Sequence, residues 1–304
     1  MKLKKIKSTK TRDIYDVPTS CHDYLLIRYN DETDNDIAEK WAELIDSPFS
    51  RISNSDVEGK DFYWAEGLKK LLEKKGIKVP GPIETALVNP FCHTMDLGVS
   101  HLGELCSVKQ KTEFKDHCHT QYKLNMIPIV YSVSGYLCDQ MWTEYKRGKR
   151  VFGGTIIPPN DRLLLEGEKL PKPVVVAMDK NSKGRHNNSL TYYERVKIIS
   201  ELTADEEEAV CITKALDEAA MYYYIRAVNY ARKHGDIIIA NTKFEFGILP
   251  DAEDDPNRIM LANEILTPES TTFWYLEEYK LGEPQEPRTD GLYDRLFWEQ
   301  ICAD

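Results

Sequence analysis

Between Asp236 and Trp274 the chain reads DIIIANTKFEFGILPDAEDDPNRIMLANEILTPESTTFW, and no other stretch restricts the fold as much. Asp236 to Ala240 is a short apolar run rich in β-branched residues, a composition that packs well on a pleated surface. From Asn241 to Gly247 polar and apolar residues alternate. A period of two places Asn241, Lys243 and Glu245 on one face and Thr242, Phe244 and Phe246 on the other. Acids, Pro256 and Asn257 then mark a turn, after which Ile259 to Leu266 is expected to return as an antiparallel strand carrying Asn263 and Glu264. The prediction is a hairpin with charges on one side and rings on the other.

The wording of that hairpin goes beyond its pattern. TKFEFG followed by NEILTPESTTFW resembles the SAICAR synthetases, ATP-dependent ligases of purine synthesis whose motifs read Asp-Thr-Lys-Phe-Glu-Phe-Gly and Asp-Glu-x-Leu-Thr-Pro-Asp-Ser-Ser-Arg-Phe-Trp. The resemblance implies that Lys243 and Glu245 serve ATP, and that Glu245, Asn263 and Glu264 serve its Mg2+. Near the start, KTRDIY is similar to a strand and turn that cover the ATP phosphates in this family, which adds Lys10 and Arg12. A Thr stands there in place of a Gly, so the backbone approach to phosphate is expected to be looser.

Two further segments extend the resemblance. Met126 to Tyr136, MIPIVYSVSGY, is an apolar, β-branched strand, and Trp142 to Arg147 begins a polar helical turn. The family's counterpart carries Arg-Gly-Tyr-x-x-Gly-Ser, whose Arg and Ser grip a 5′-phosphate. Here Ser134 stands for the Arg and Asp139-Gln140 for Gly-Ser. With Thr272 in STTFW at the place of a second Arg, these positions are the implied substrate contacts, joined by Asn187. Lys169 to Glu194 resembles a loop lining the family's cleft, in which Lys180 and His186 match. Together with Lys243 they are the implied catalytic residues. The tail after Trp274 keeps Tyr279, Gly282, Gln285, Asp290 and Arg295.

The departures change the chemistry. Asn187, Asn241 and Asn263 occupy positions where the family has Asp, and Asn offers a metal its carbonyl without charge. Arginine's bidentate fork suits phosphate, and neither Ser134 nor Thr272 replaces its charge. Each lost charge-assisted contact is worth roughly 1.5–3 kcal/mol, so two losses weaken a phosphorylated ligand by about two to four decades.

Elsewhere the readings are structural. Phe62 to Lys75 is an amphipathic packing helix, and Ala38 to Ile45 looks helical. Thr203 to Gly235 is a long helix with Thr203 and Glu206 as its capping box and Ile212, Leu216, Ala219, Tyr223, Ala227 and Tyr230 as its buried stripe. Lys10 to Tyr15 and Tyr24 to Arg28 form a hairpin. Between Pro80 and Thr120 lie several Cys and His whose spacing matches no repeated ligand pair, so ordinary thiols and imidazoles are expected there rather than zinc. The seven cysteines are scattered without a C-x-x-C pair, which suits reduced thiols.

The 304 residues suffice for one large domain or two medium ones, and a net charge of -10 argues against general nucleic-acid binding. No apolar run approaches the roughly 20 residues of a membrane span, and the basic start lacks a signal-peptide core, so a cytoplasmic location is expected. The expected fold is α+β and SAICAR synthetase-like. Residues 1–128 form a β-rich lobe covering the nucleotide and 129–304 a larger lobe carrying the hairpin and substrate loops. Three readings stay open. The preferred one is an ATP-dependent carbon-nitrogen ligase that joins the carboxylate of an aminoimidazole ribonucleotide to aspartate through an acyl phosphate. The others are a same-fold ligase whose acceptor lacks the 5′-phosphate, and a catalytically silent nucleotide-binding or protein-interaction homologue. Partners are accordingly small molecules, namely ATP, a carboxylated acceptor and aspartate or another amine; homo-oligomerisation is left open.

Overall fold

The computed structural model describes residues 3–8, 12–17, 24–29, 118–158, 162–181, 189–203, 205–235, 237–250, 258–262, 266 and 270–285. The expected helices at 38–45 and 62–75, the Cys and His of residues 80–117 and the tail beyond 285 lie outside the described residues. Two sheets dominate, beside a two-stranded ribbon of β6 (Val151–Phe152) and β7 (Thr155–Ile156). The first has the order β1-β2-β3-β4 and is antiparallel throughout, built from β1 (Lys4–Ser8), β2 (Arg12–Val17), β3 (Tyr24–Tyr29) and β4 (Cys118–Tyr122). Within it the expected hairpin of β2 and β3 is present, with Ile14 opposite Ile27.

The second sheet positions the site. β9 (Ile237–Ile248) lies between β5 (Asn125–Tyr136) on one edge and two short strands, β10 (Ile259–Ala262) and β11 (Thr271–Tyr275), on the other, and β8 (Lys169–Asp179) pairs with the far edge of β5. The apolar run and the alternating run of the sequence are thus one strand. Every pairing is antiparallel, and register brings Tyr131 opposite Phe244, and Ser132 and Ser134 opposite Lys243 and Asn241. Paired residues of an antiparallel ladder point to the same face. Tyr131, Val133, Thr242, Phe244 and Phe246 therefore share the back face, where all are buried, while Asn241, Lys243 and Glu245 share the front, where Lys243 is exposed.

Two helices cover the back. α2 (Tyr192–Ser200) and α3 (Glu206–Gly235) bury Val196, Ile199, Ile212, Leu216, Ala219, Tyr223 and Ala227 in one cluster with Tyr131, Phe244 and Phe246. The predicted stripe is correct through Ala227; the side chain of Tyr230 lies outside the described residues. Fully burying each Phe contributes roughly 1.5–3 kcal/mol, so the ring face of β9 holds the sheet to α3. A buried ion pair between Arg258 and Glu208 joins the entry of β10 to the first turn of α3.

Four expectations need correction. Lys169 to Asp179 is a strand and not a loop, because the β-branched run of Val174 to Val176 pairs along β5. The return strand is described over Ile259–Ala262 and does not include Leu266, whose φ of 55° is left-handed and cannot continue a strand. Helix α1 (Asp139–Lys146) begins three residues before the expected Trp142. Finally, Thr203 and Glu206 do not cap α3. The carboxylate of Asp205 accepts from the Glu207 N–H at 2.9 Å, while the Thr203 hydroxyl turns back to the Ile199 carbonyl. A capping box does occur, at Thr191 and Glu194 of α2.

Gly135 is required by the helix behind it. A Cβ there would fall inside contact distance of the Tyr224 hydroxyl, which donates to the Ile239 carbonyl at 2.7 Å, and 3.0 Å from Tyr224 Cζ. Gly135→Ala is expected to destabilise the protein by about 2 kcal/mol, within the range of overpacked core positions, and Tyr224→Phe in the same chain is expected to recover part of that loss. Urea unfolding of the single and double variants checks this.

Glu218 on α3 gives a second prediction. Burial, helped by neighbouring Asp217 and opposed by Lys214, pushes its carboxyl up to about 7, and its Oε2 is buried without a hydrogen bond among the described residues. The unfolded carboxyl loses its proton near pH 4.3, so between about pH 4.3 and 7 the folded chain holds a proton the unfolded chain has released, and stability falls as pH rises through that window. Glu218→Gln is therefore expected to raise Tm at pH 8 and to change it little at pH 4.5, as thermal melts at the two values would reveal.

Candidate active site

The front of the second sheet carries a cavity of about 350 Å³. Its floor is a polar rung structure. Ser132 and Ser134 from β5 stand beside Lys243 and Asn241 from β9, and Thr272 from β11 lies opposite Asn241. Its wall is α1, which also contributes Asp139, Gln140 and Glu144. That helix is held by its buried side chains Met141 and Tyr145, spaced four residues apart, which pack on Leu137, Phe152, Leu164 and Val174. The Tyr145 hydroxyl accepts from the Leu164 N–H at 2.9 Å, fixing the helix to the segment after residue 161.

Asp139 is the unusual member. Its φ is 51°, the left-handed region that Gly enters freely and that Asp tolerates better than most residues. The Gly expected from the family motif suits that backbone, and here an acid occupies it. Its Oδ2 accepts from Asn241 Nδ2 at 2.6 Å and from the Thr272 hydroxyl at 3.2 Å, and Asn241 Nδ2 also lies 3.1 Å from Thr272 Oγ1. Asn241 further donates to the thiol of Cys138 at 3.5 Å; burial pushes that thiol well above its ordinary range, so it stays protonated. Departures that are scattered in the sequence thus form one bonded group. An Asp at position 241 would set two carboxylates against each other, whereas Asn donates.

The second half of the site lies further along β9. Glu245 forms an ion pair with Lys180, which follows β8 and whose N–H donates to the Pro128 carbonyl at 3.0 Å. Lys243 is two residues from Glu245, roughly 7 Å along the strand, and lines the cavity. Among the described residues no ion pair engages it. Its own N–H donates to the Ser270 carbonyl at 3.0 Å, in the interval between β10 and β11. Lys243 therefore stands where the cavity meets the Lys180–Glu245 pair.

Of the residues singled out from sequence, Ser134, Asp139, Gln140, Lys243 and Thr272 line one cavity, and Lys180 and Glu245 meet beside it. The backbone of Arg12 lies in β2, but its side chain is outside the described set, as are Lys10, His186, Asn187, Asn263 and Glu264. Sequence reasoning missed Ser132, Cys138, Glu144 and Lys149. The alternation in YSVSGY carried a signal for Ser132, since it shares a face with Ser134; for Lys149, bonded to Glu144 at 2.6 Å, there was none. Among the described residues no group of three or more His, Cys, Asp or Glu could hold a metal ion. Glu245 is the one described carboxylate of the expected metal set, a donor that suits a cation arriving with its own phosphate oxygens better than a resident ion.

The SAICAR synthetase family model matches residues 74–294. The phosphoribosylaminoimidazole-succinocarboxamide synthase of Saccharomyces cerevisiae is 31% identical over 195 residues, which is 64% of this chain and 56% of that protein. The enzyme of that name from Candida albicans is 35% identical over 175 residues, 58% of this chain and 51% of that one. The matched part thus spans little more than half the length of these relatives. Among solved structures, the SAICAR synthase of Saccharomyces cerevisiae complexed with SAICAR is 25% identical, with a TM-score of 0.59 over 99% of this chain and 85% of that chain. A type-2 SAICAR synthetase in complex with ADP has a TM-score of 0.54 at 19% identity, over 98% of this chain and 97% of that chain, a likeness of fold alone.

The Asp139–Asn241 bond predicts a reciprocal pair of variants. Asn241→Asp is expected to lower stability by about 1 kcal/mol at pH 7, because like charges replace a charge-assisted bond. Adding Asp139→Asn to it exchanges donor and acceptor and is expected to restore most of the loss, as denaturant unfolding of the single and double variants would measure.

Proposed function

The chain belongs to the SAICAR synthetase family, and from that premise we propose that it is an ATP-dependent ligase joining a carboxylate to an amine through an acyl phosphate. The acceptor scaffold in this reading is an aminoimidazole carboxylate and the amine is aspartate, the pair of the purine-biosynthetic reaction named for its relatives. One observation carries the reading: Lys243 sits at the junction of the cavity and the Lys180–Glu245 pair. A cation there lies between a space large enough for the acceptor and groups able to hold a nucleotide.

The chemistry requires such a junction. A carboxylate is a poor electrophile at neutral pH, so an acceptor oxygen attacks the γ-phosphorus of ATP, the bond to ADP breaks, and the carboxylate acquires a leaving group. The amine lone pair then attacks the acyl carbon, phosphate departs with the bonding electrons, and the amine gives up a proton. Negative charge builds on the transferring oxygens, and fixed cations stabilise it at no cost in reorganisation. Lys243 stabilises that charge from the front of β9, with Lys180 beside it. Lys10 and Arg12 cover the phosphates, and His186 receives the amine proton. Glu245, with Asn263 and Glu264, would hold the magnesium that accompanies the nucleotide, and the ion would supply neutralising charge to the phosphates. Glu245 also orients Lys180 through their ion pair.

Isothermal titration with ATP and magnesium, together with ADP release in the presence of aspartate and the aminoimidazole carboxylate as riboside or 5′-phosphate, tests this. Wild-type protein is expected to bind nucleotide and release ADP only when both co-substrates are present. Lys243→Ala is expected to lower kcat/KM at least 100-fold, or about 2.7 kcal/mol of transition-state stabilisation, and Glu245→Ala to weaken nucleotide about tenfold. Nucleotide binding without ADP release from either acceptor would point to a silent homologue, and absence of nucleotide binding would overturn the ligase reading.

A further inference from the structure

The α1 end of the cavity has the polarity of an acceptor site. Asp139 Oδ2 is occupied by Asn241 and Thr272, and the buried Cys138 thiol also bonds the carboxylate, but a carboxylate offers about four lone-pair positions, so one is left for a ligand. Asp139 lines the cavity and is exposed to it. The lining cation on α1's side, Lys149, is taken up by Glu144 at 2.6 Å and lies 4.9 Å over the Phe152 ring, so the two charges cancel. Lys243 is the other cation among the described lining residues, and none of these is an arginine. The N-terminus of a helix ordinarily attracts an anion from outside. Here α1 supplies its own, held in place by the side chains of two neighbouring strands.

We propose that this end of the cavity selects an acceptor bearing a hydrogen-bond donor, a hydroxyl or an ammonium group, and rejects a phosphomonoester. The inference rests on the ligase reading for the identity of the scaffold, and it concerns the end of the acceptor remote from the reacting carboxylate. Asp139 is its specificity-determining residue. Ser134, Asn241 and Thr272 complete the polar surround, each able to bond a hydroxyl, and none brings a charge. A phosphate dianion placed there would meet a carboxylate, with no guanidinium among the described lining residues to offset it. Two like charges a few ångströms apart at the protein surface repel strongly enough to weaken binding about tenfold or more.

The test measures dissociation constants of the wild-type chain, with ATP omitted, for 5-aminoimidazole-4-carboxylate riboside, its 5′-phosphate and its 5′-amino-5′-deoxy analogue. The riboside is expected to bind at least tenfold more tightly than the phosphate. The amino analogue separates the two donors: tighter binding than the riboside assigns the subsite to ammonium, equal or weaker binding to hydroxyl. Asp139→Asn retains a residue that tolerates left-handed backbone and is expected to shrink the riboside preference at least tenfold. Thr272→Arg, which adds a guanidinium, is expected to shift the ratio further toward the phosphate. A wild-type preference for the phosphate, an unchanged ratio in both variants, or no binding of any of the three ligands would overturn the proposal. Riboside-selective binding without ADP release in the presence of ATP and aspartate would instead overturn the ligase reading and leave this subsite standing.

Discussion

Burial of Phe244 and Phe246 against α3 is the contact on which the rest of the site depends. A strand has two faces, and once the rings of β9 are committed to the helix the intervening residues have one direction left. Asn241, Lys243 and Glu245 must then project forward together, at intervals of roughly 7 Å. A slip of one residue would bury Lys243 and expose two phenyl rings, so the hydrophobic core sets the register of the polar groups. Adjacent strands inherit it. Ser132 and Ser134 face forward because Tyr131 and Val133 face back, and Thr272 joins the same front rung through its pairing with Asn241.

On that front face, electrostatics divide the site into two unlike regions. Toward Glu245 the groups are the Lys180–Glu245 pair and Lys243, which no ion pair engages among the described residues, an arrangement with a net cation to offer phosphate. Toward α1 the groups are Asp139 and neutral hydroxyls and amides, with the nearby Lys149 already neutralised by Glu144. A ligand lying across Lys243 would experience opposite preferences at its two ends. Measured against the arginines and glycine that the resemblance implies, Ser134, Thr272 and Asp139 therefore act in one direction. Asn241 is the companion change that makes Asp139 tolerable, since its amide donates where a second acid would repel.

The alternating strand, its return and the stripe of α3 were legible because hydrophobic period is a local property and tertiary packing agreed with it. The strand at Lys169–Asp179 was obscured by prolines and lysines at its start, although Val174 to Val176 carried the β-branched signal that proved decisive. Helix ends were legible only approximately. Thr203 and Asp205 are both good capping types, and the choice between them depends on which oxygen reaches an N–H. The Asp139 group could not have been read at all. Its members are 102, 133 and 31 residues apart, and only the meeting of α1, β9 and β11 reveals that separate replacements compensate one another. Register alone brings them together.

The two pieces of the return, β10 and β11, are both measured against β9. Ala262 is fixed opposite Glu245 and Thr271 opposite Thr242, so the chain between them starts and finishes at positions set by a third strand. An insertion or replacement in that interval would leave both anchors in place, because neither takes its register from the other. Groups that border Lys243 can thus change while β10 and β11 stay aligned to β9.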